Sequence, residues 1–175
     1  EQLLPLNPND GSIISKVNGF VDKKHLQFMF DRVLPRTLYG IESNFVEENP
    51  LKVTELTDGY ILKPNEIKLF ANDKAGKAGR SKWYVADKSI IESGKEYLSE
   101  WQVVVSSANA GGQKRDNQIE IIDNHSAFGR SRVALGSFKT EKEAVNFYHY
   151  CKTTLIRFMF LMTDEALTSL GKKVP

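Results

Sequence analysis

The spacing of apolar residues changes near position 140, and that change limits the folds open to this chain. Apolar side chains then recur every three or four residues, at Ala144, Phe147, Tyr148, Cys151, Leu155, Phe158, Met159 and Met162. Thr140 and Glu143 have the Thr-x-x-Glu spacing of a capping box, which marks a helix start. The pattern predicts a helix of about six turns whose apolar stripe must pack on another element.

Before position 140 the apolar runs are short and typical of β-strands. They fall at residues 60–62, 67–70, 83–85, 101–105, 119–122 and 132–135. Loops rich in glycine and in basic or amide residues separate them. We therefore predict an α+β fold, in which a small mixed or antiparallel sheet with long loops carries the long C-terminal helix.

A second helix is predicted near the N-terminus, packed on the same sheet. Asp22 is a suitable N-cap and Pro35 lies close to the expected end. The apolar residues between them have helical spacing: Leu26, Met29, Phe30, Val33 and Leu34. Residues 44–57 are polar, acidic and interrupted by proline, which predicts a connecting stretch. We expect an N-terminal helical and connecting segment, residues 1–58, followed by a domain formed by residues 59–175.

Composition excludes several classes of protein. One cysteine and three histidines among 175 residues form neither an intramolecular disulfide nor a Cys/His zinc site, and a reducing cytoplasm is the expected location. The first residues include neither an initiator methionine nor a signal peptide, so we expect a piece of a longer protein. The longest apolar passage, residues 155–162, contains Arg157 and is too short to span a bilayer, so no membrane partner is expected.

The charge is distributed unevenly, although the net charge is only +2. Residues 1–60 hold six Lys/Arg against nine Asp/Glu, whereas residues 68–88 hold six Lys/Arg against two Asp. The basic stretch predicts a flexible loop whose cations follow a phosphate backbone. The alternative is an ordinary solvated surface loop. The candidate phosphate ligands are Lys74, Lys77, Arg80 and Lys82.

Two further segments carry side chains that can contact DNA bases or phosphates. In residues 106–118, amide and basic side chains suit adenine and guanine edges, although Gly111-Gly112 is also typical of a hairpin turn. Residues 128–132 include two arginines that suit a phosphate or guanine contact. The alternative is that this segment is an exposed strand edge. The candidates are Asn109, Gln113, Lys114, Arg115, Arg130 and Arg132.

A magnesium-dependent nuclease is the alternative function. Asp58 lies upstream of Glu66-Ile67-Lys68, where two carboxylates would hold Mg²⁺ and Lys68 would help activate water. The same residues also fit two turns, at Asp58-Gly59 and at residues 63–65. No Gly-x-Ser-x-Gly or Walker motif is present. Cys151 lies on the apolar stripe and is expected to be a buried small hydrophobe, whereas His149 lies off it and is expected on the helix surface.

One family shares the order of these segments. The residues that carry the likeness are 67–70 (Ile-Lys-Leu-Phe), 83–91 (Trp-Tyr-Val-Ala-Asp-Lys-Ser-Ile-Ile), 101–105 (Trp-Gln-Val-Val-Val), the glycine-containing loop 106–113, and 135–144 (Leu-Gly-Ser-Phe-Lys-Thr-Glu-Lys-Glu-Ala) leading through 150–153 and 155–158. The last of these segments is the most specific to the family. Over about residues 60–175 the chain resembles the target-recognition domain of adenine-specific DNA methyltransferases of restriction-modification systems, the TaqI-like C-terminal specificity domain.

The resemblance implies a domain that binds double-stranded DNA beside a methylating domain. In that family the methylating domain binds S-adenosylmethionine and modifies a flipped adenine, alone or fused to a restriction endonuclease. Its Asn/Asp-Pro-Pro-Tyr/Phe motif does not occur in these 175 residues. We therefore expect no cofactor and no catalytic residue in this chain, and expect S-adenosylmethionine in the methyltransferase domain of the parent enzyme.

Overall fold

The computed structural model describes residues 8–76, 78–107, 119–161 and 174–175. They form an α+β fold, as predicted. The helices are α1 (Asp10–Lys24), α2 (Phe45–Glu48), α3 (Glu141–Cys151) and α4 (Thr154–Leu161). The strands are β1 (Val53–Glu55), β2 (Glu66–Asn72), β3 (Ser81–Asp87), β4 (Trp101–Ser106), β5 (Ile119–Ile122), β6 (Ser126–Phe128) and β7 (Arg132–Phe138).

The strands form two sheets. The first has the order β1-β3-β2-β6, with β2 antiparallel to β3 and parallel to β6. The second has the order β5-β4-β7 and is antiparallel throughout. Alternation along β2 puts Ile67, Leu69 and Ala71 on one buried face and leaves Glu66 and Lys68 on the other. The sheets are therefore mixed and antiparallel, as the sequence predicted.

Two hydrophobic cores hold the fold together. The helix core joins the second sheet to the helices through residues such as Val103, Leu135, Ala144 and Met159. The sheet core joins both sheets to the chain before β1, through residues such as Tyr39, Ile41, Leu69 and Val104. The division of the chain at position 58 stays a prediction, although residues from both sides of it contribute to each core.

A polar contact crosses the sheet core. Gln102 is fully buried on β4, and its Nε2 donates to Tyr39 Oη at 2.6 Å and to the Tyr97 carbonyl at 3.0 Å. Burial raises the pKa of Tyr39 to about 12, although the hydrogen bond from Gln102 lowers it. Tyr39 therefore stays neutral, and the contact ties the chain before β1 to the second sheet.

The N-terminal helix exists, but its predicted position was wrong. α1 ends at Lys24, where His25 adopts φ 52° and donates its backbone N–H to the Val21 and Asp22 carbonyls. In the predicted window, Met29 N–H bonds to the Val174 carbonyl at 2.7 Å and Leu34 N–H to the Ala134 carbonyl at 2.9 Å. Since these backbone groups find tertiary partners, this window forms only a short 3₁₀ turn.

α1 nevertheless packs against the helix core. Its Val21 is buried, and Ile14 and Val17 contact the helix core. These residues also recur at three- and four-residue spacing, so a helical pattern was present upstream of the predicted one.

The C-terminal helical region is present as predicted, but it is divided into two helices and is not one continuous helix. The described chain forms α3 and α4, separated at Lys152-Thr153. Thr153 Oγ1 donates to the Tyr150 carbonyl at 2.8 Å, and the Thr153 carbonyl accepts from Arg157 N–H at 3.0 Å. Thr153 therefore ends one helix and begins the next, because its hydroxyl competes with backbone hydrogen bonding.

One predicted strand is absent, and two strands and a short helix were not predicted. Residues 60–62 form no strand and lie between two turns, the first of which is closed by a hydrogen bond from Tyr60 N–H to the Thr57 carbonyl at 3.2 Å. The predicted connecting stretch contains α2 and β1, and β6 was not predicted. Both missed strands have only three residues, which is too short for a clear alternation. No helix in the described ranges is long and apolar enough to cross a membrane.

The predicted capping box is confirmed. Glu143 N–H donates to Thr140 Oγ1 at 3.3 Å, and Thr140 N–H donates to Glu143 Oε2 at 3.1 Å. Thr140→Ala should lower the free energy of unfolding by about 1 kcal/mol, because the Glu143 N–H loses the hydroxyl oxygen that accepts its hydrogen bond. Urea denaturation measures the change. Thr57→Ala, at an exposed loop position, is the control and should change stability by less than about 0.5 kcal/mol; equal effects would contradict a capping role.

Candidate nucleic-acid interface

Three loops meet at one end of the two sheets. The β2–β3 loop follows Asn72, which pairs with Ser81. The β6–β7 loop lies beside it, because β6 runs parallel to β2 and Gly129 N–H donates to the Phe70 carbonyl at 2.9 Å. The β4–β5 connection leaves the same end, where Ser107 N–H donates to the Ser131 carbonyl at 2.8 Å. We call this end the loop end.

The β2–β3 loop is held by its own hydrogen bonds. Two hydrogen bonds join Asp73 and Arg80. Asp73 N–H donates to the Arg80 carbonyl at 2.9 Å, and Arg80 N–H donates to the side-chain Oδ1 of Asp73 at 2.8 Å. The second contact lowers the pKa of Asp73 and keeps it ionised. Gly79 permits this closure, because a Cβ there would lie 2.1 Å from the Lys74 carbonyl oxygen. Lys74 and Arg80 are exposed on this defined loop.

Lys82 lies beside the loop but on the other face of β3 from Trp83. Its Nζ pairs with Glu55 of β1 at 3.2 Å, and this contact raises the pKa of Lys82. Both side chains are substantially exposed. Lys82 is therefore already engaged by a carboxylate, which a DNA phosphate would have to displace.

Arg130 is engaged in the same way. Its Nη1 pairs with Glu42 Oε2 at 2.7 Å, and its backbone N–H donates to the Ile41 carbonyl at 2.9 Å. The two side chains are 40% and 50% exposed. A pair this accessible to water contributes little to stability and is open to competition from another anion.

Arg132 differs from Lys74 and Arg80 because its side chain is half-buried and its Nε is fully buried. Its guanidinium carbon lies 4.8 Å from the centroid of the Phe70 ring. Phe70 in turn stacks on Trp83, with centroids 4.8 Å apart and an angle of 26° between the rings. Burial lowers the pKa of Arg132, although attraction to Glu120 acts in the opposite direction.

The predicted candidates therefore fall into three groups. Lys74, Arg80, Arg130 and Arg132 are brought together at the loop end, with Lys82 beside it on the face of β3 opposite Trp83. Lys77, Asn109, Gln113, Lys114 and Arg115 lie outside the described residues. Sequence reasoning missed Glu42, Glu55 and Phe70, which engage these cations. Glu42 is 88 positions from Arg130, so no local pattern could reveal that contact.

The residues of the nuclease alternative take other partners. Glu66 Oε2 accepts from Lys63 N–H at 2.9 Å and from Tyr60 Oη at 3.0 Å, and the Lys63 contact lowers the pKa of Glu66. Lys68 Nζ pairs with Asp123 at 2.5 Å. Asp58 lies in an exposed turn. Within the described ranges, no three His, Cys, Asp or Glu side chains are grouped to hold a metal ion.

Lys68 and Asp123 line a cavity of about 490 Å³ with Trp83, Trp101 and Glu141. Burial raises the pKa of Asp123, but hydrogen bonds from Lys68 and Ser126 outweigh it, so the pKa lies below its usual value. Lys68 is therefore held as a partner of Asp123.

An apolar groove lies away from the loop end. Its volume is about 1050 Å³, and it is lined by α1, α3, α4 and the segment after α1, including Phe20, Leu26, Phe147, Tyr150 and Leu155. Phe20, Leu26 and Leu155 are about half exposed. Exposed apolar surface of this kind is typical of a protein-binding surface.

No protein-family model matches the chain, and neither a curated protein nor a solved structure matches it.

Cys151 and His149 lie where the sequence predicted. His149 is exposed and Cys151 is fully buried. Burial raises the pKa of the Cys151 thiol from 9.0 to about 12. The folded protein should react with a thiol-specific disulfide reagent at pH 8 about a thousandfold more slowly than unfolded protein, since so little thiolate forms.

Absorbance of the released chromophore measures this rate, and Cys151 is the one cysteine in the sequence. The same reaction in urea is the control, and there Cys151 should react at the rate of an exposed thiol. Rapid reaction of the folded protein would contradict the buried position.

Proposed function

We propose that this chain is the DNA-recognition domain of an adenine-specific DNA methyltransferase of a restriction-modification system. The observation that carries the proposal is the convergence of the three loops at the loop end. Two of them carry cations in the described chain, and the third carries the predicted base-contacting residues. The resemblance of residues 60–175 to a target-recognition domain supports the same function.

The geometry gives the loop end a suitable distribution of charge. Lys74 and Arg80 project from the β2–β3 loop, and Arg130 lies on the adjacent β6–β7 loop. Cations on neighbouring loops can contact successive phosphates, which fixes the register of a protein on a duplex. At the opposite end of β7, Lys139 follows a seven-residue strand, about 20 Å away.

The proposal assigns methylation to a partner domain. S-adenosylmethionine would bind that domain, and no residue of this chain is assigned to the cofactor. The apolar groove beside α1 supports a protein partner, because its exposed phenylalanine and leucine side chains are on a different surface from the loop end.

DNA binding should depend on the β2–β3 loop. Lys74→Ala and Arg80→Ala should each weaken binding to a duplex of about 20 base pairs. Each should also reduce the slope of log K against log salt by about 0.9, because one fewer counterion is released. Fluorescence anisotropy at several salt concentrations measures both quantities.

Lys139→Ala is the matched control, since it removes one exposed lysine far from the loop end. It should leave the salt slope unchanged. Equal effects of all three variants would refute the assignment of the loop end. Cleavage of plasmid DNA with Mg²⁺ that is lost in Asp58→Ala would instead establish the nuclease alternative.

Removing the carboxylate that competes for Arg130 should strengthen binding. Glu42→Gln should raise DNA affinity at low salt by up to about fivefold, because Arg130 no longer has to leave an ion pair. The gain should shrink as salt rises. Glu141→Gln, at an exposed position at the start of α3, controls for the change in net charge; an equal gain in both variants would show only a general effect of charge.

A further inference from the structure

Arg132 is a half-buried cation that Glu120 attracts electrostatically. Its Nε is buried and has no hydrogen-bond partner among the described residues. Its Nη1 donates to the carbonyl of the neighbouring Ser131 at 3.3 Å. None of the ion pairs among the described residues includes it.

Such an arrangement is costly for the protein alone. A guanidinium loses hydration when it is buried, and the usual compensation is a paired carboxylate or a full set of hydrogen bonds. The face of Phe70 supplies a weaker compensation. A polar group without its full partners at a binding surface is expected to obtain one from the ligand.

The surroundings of Arg132 also hold it in one orientation. Phe70 is only 6% exposed and stacks on Trp83. The backbone of Arg132 is fixed in the second sheet, opposite Ser106 of β4. The guanidinium therefore lies on a rigid aromatic platform at the loop end, unlike the exposed Lys74.

Contacts to phosphates and contacts to bases differ in how firmly the protein side chain must be held. Phosphates can be followed by long exposed side chains such as Lys74 and Arg130, whereas reading a base requires a donor group in a fixed position. A planar guanidinium matches the O6 and N7 acceptors of guanine with two donors. The firmly held guanidinium of Arg132 is thus suited to a base edge.

We propose that Arg132 reads a guanine in the major groove, supported from below by Phe70. The inference rests on the proposed function and adds the base that one residue recognises. Arg132 is then a specificity-determining residue, while the exposed cations around it contact phosphates.

The test begins with selection of a preferred duplex from a random library by the full chain. The preferred sequence should contain a G·C pair at which Arg132→Gln loses discrimination by about tenfold or more. Preferences at the other positions should persist. Arg130→Gln is the matched control and should lower affinity for all sequences alike. Circular dichroism and thermal unfolding verify that the variants are folded.

A change in the DNA makes the test independent of protein stability. Replacing that guanine by 7-deazaguanine removes the N7 acceptor and should weaken binding of the unaltered protein. The same replacement should not weaken DNA binding by Arg132→Gln any further. If that variant does not fold, Arg132→Lys takes its place, and the replacement should weaken its binding less than that of the unaltered protein.

The outcomes separate this inference from the proposed function. Unchanged base preferences with a salt slope reduced by about 0.9 in Arg132→Gln would make Arg132 a phosphate ligand and overturn the inference. Binding without sequence preference would also overturn it while DNA binding stands. A protein that binds no duplex at all would overturn the proposed function as well.

Discussion

The parallel pairing of β2 with β6 is the contact on which the arrangement of the loops depends. It joins Lys68 N–H to the His125 carbonyl and Gly129 N–H to the Phe70 carbonyl, between residues more than fifty positions apart. Without it, the β6–β7 loop would have no reason to lie beside the β2–β3 loop. The chain passes from the second sheet to the first at β6 and back at β7, so one three-residue strand connects the two sheets at the loop end.

The acidic N-terminal third and the basic middle of the sequence are matched in space. Glu42 pairs with Arg130 and Glu55 pairs with Lys82. Glu47 accepts a hydrogen bond from the backbone of Ala75 in the β2–β3 loop at 3.1 Å. The local excess of positive charge is therefore partly neutralised within the folded chain. A ligand with closely spaced negative charges would have to replace exposed carboxylates that bind these cations weakly.

Local patterns predicted much of the fold and less of the site. Strands β2, β3, β4, β5 and β7 follow from runs of β-branched and aromatic residues, and the start of α3 follows from its capping box. The position of α1 was missed because residues 26–34 have helical spacing, yet their backbone bonds to Val174 and Ala134. The basic candidates were found individually. Their convergence, and the platform beneath Arg132, depend on pairing between distant segments, which one sequence does not reveal.

The position of Arg132 on a strand also separates two kinds of change in the amino-acid sequence. Insertions or deletions in the β2–β3 connection would alter a surface loop, and such loops tolerate these changes well. They would not shift the register that places Arg132 opposite Ser106. A change of Arg132 or Phe70, by contrast, would alter a packed contact without changing the length of any loop. Variation in the loops can thus accumulate around a fixed central position, which only a substitution in the sheet itself would alter.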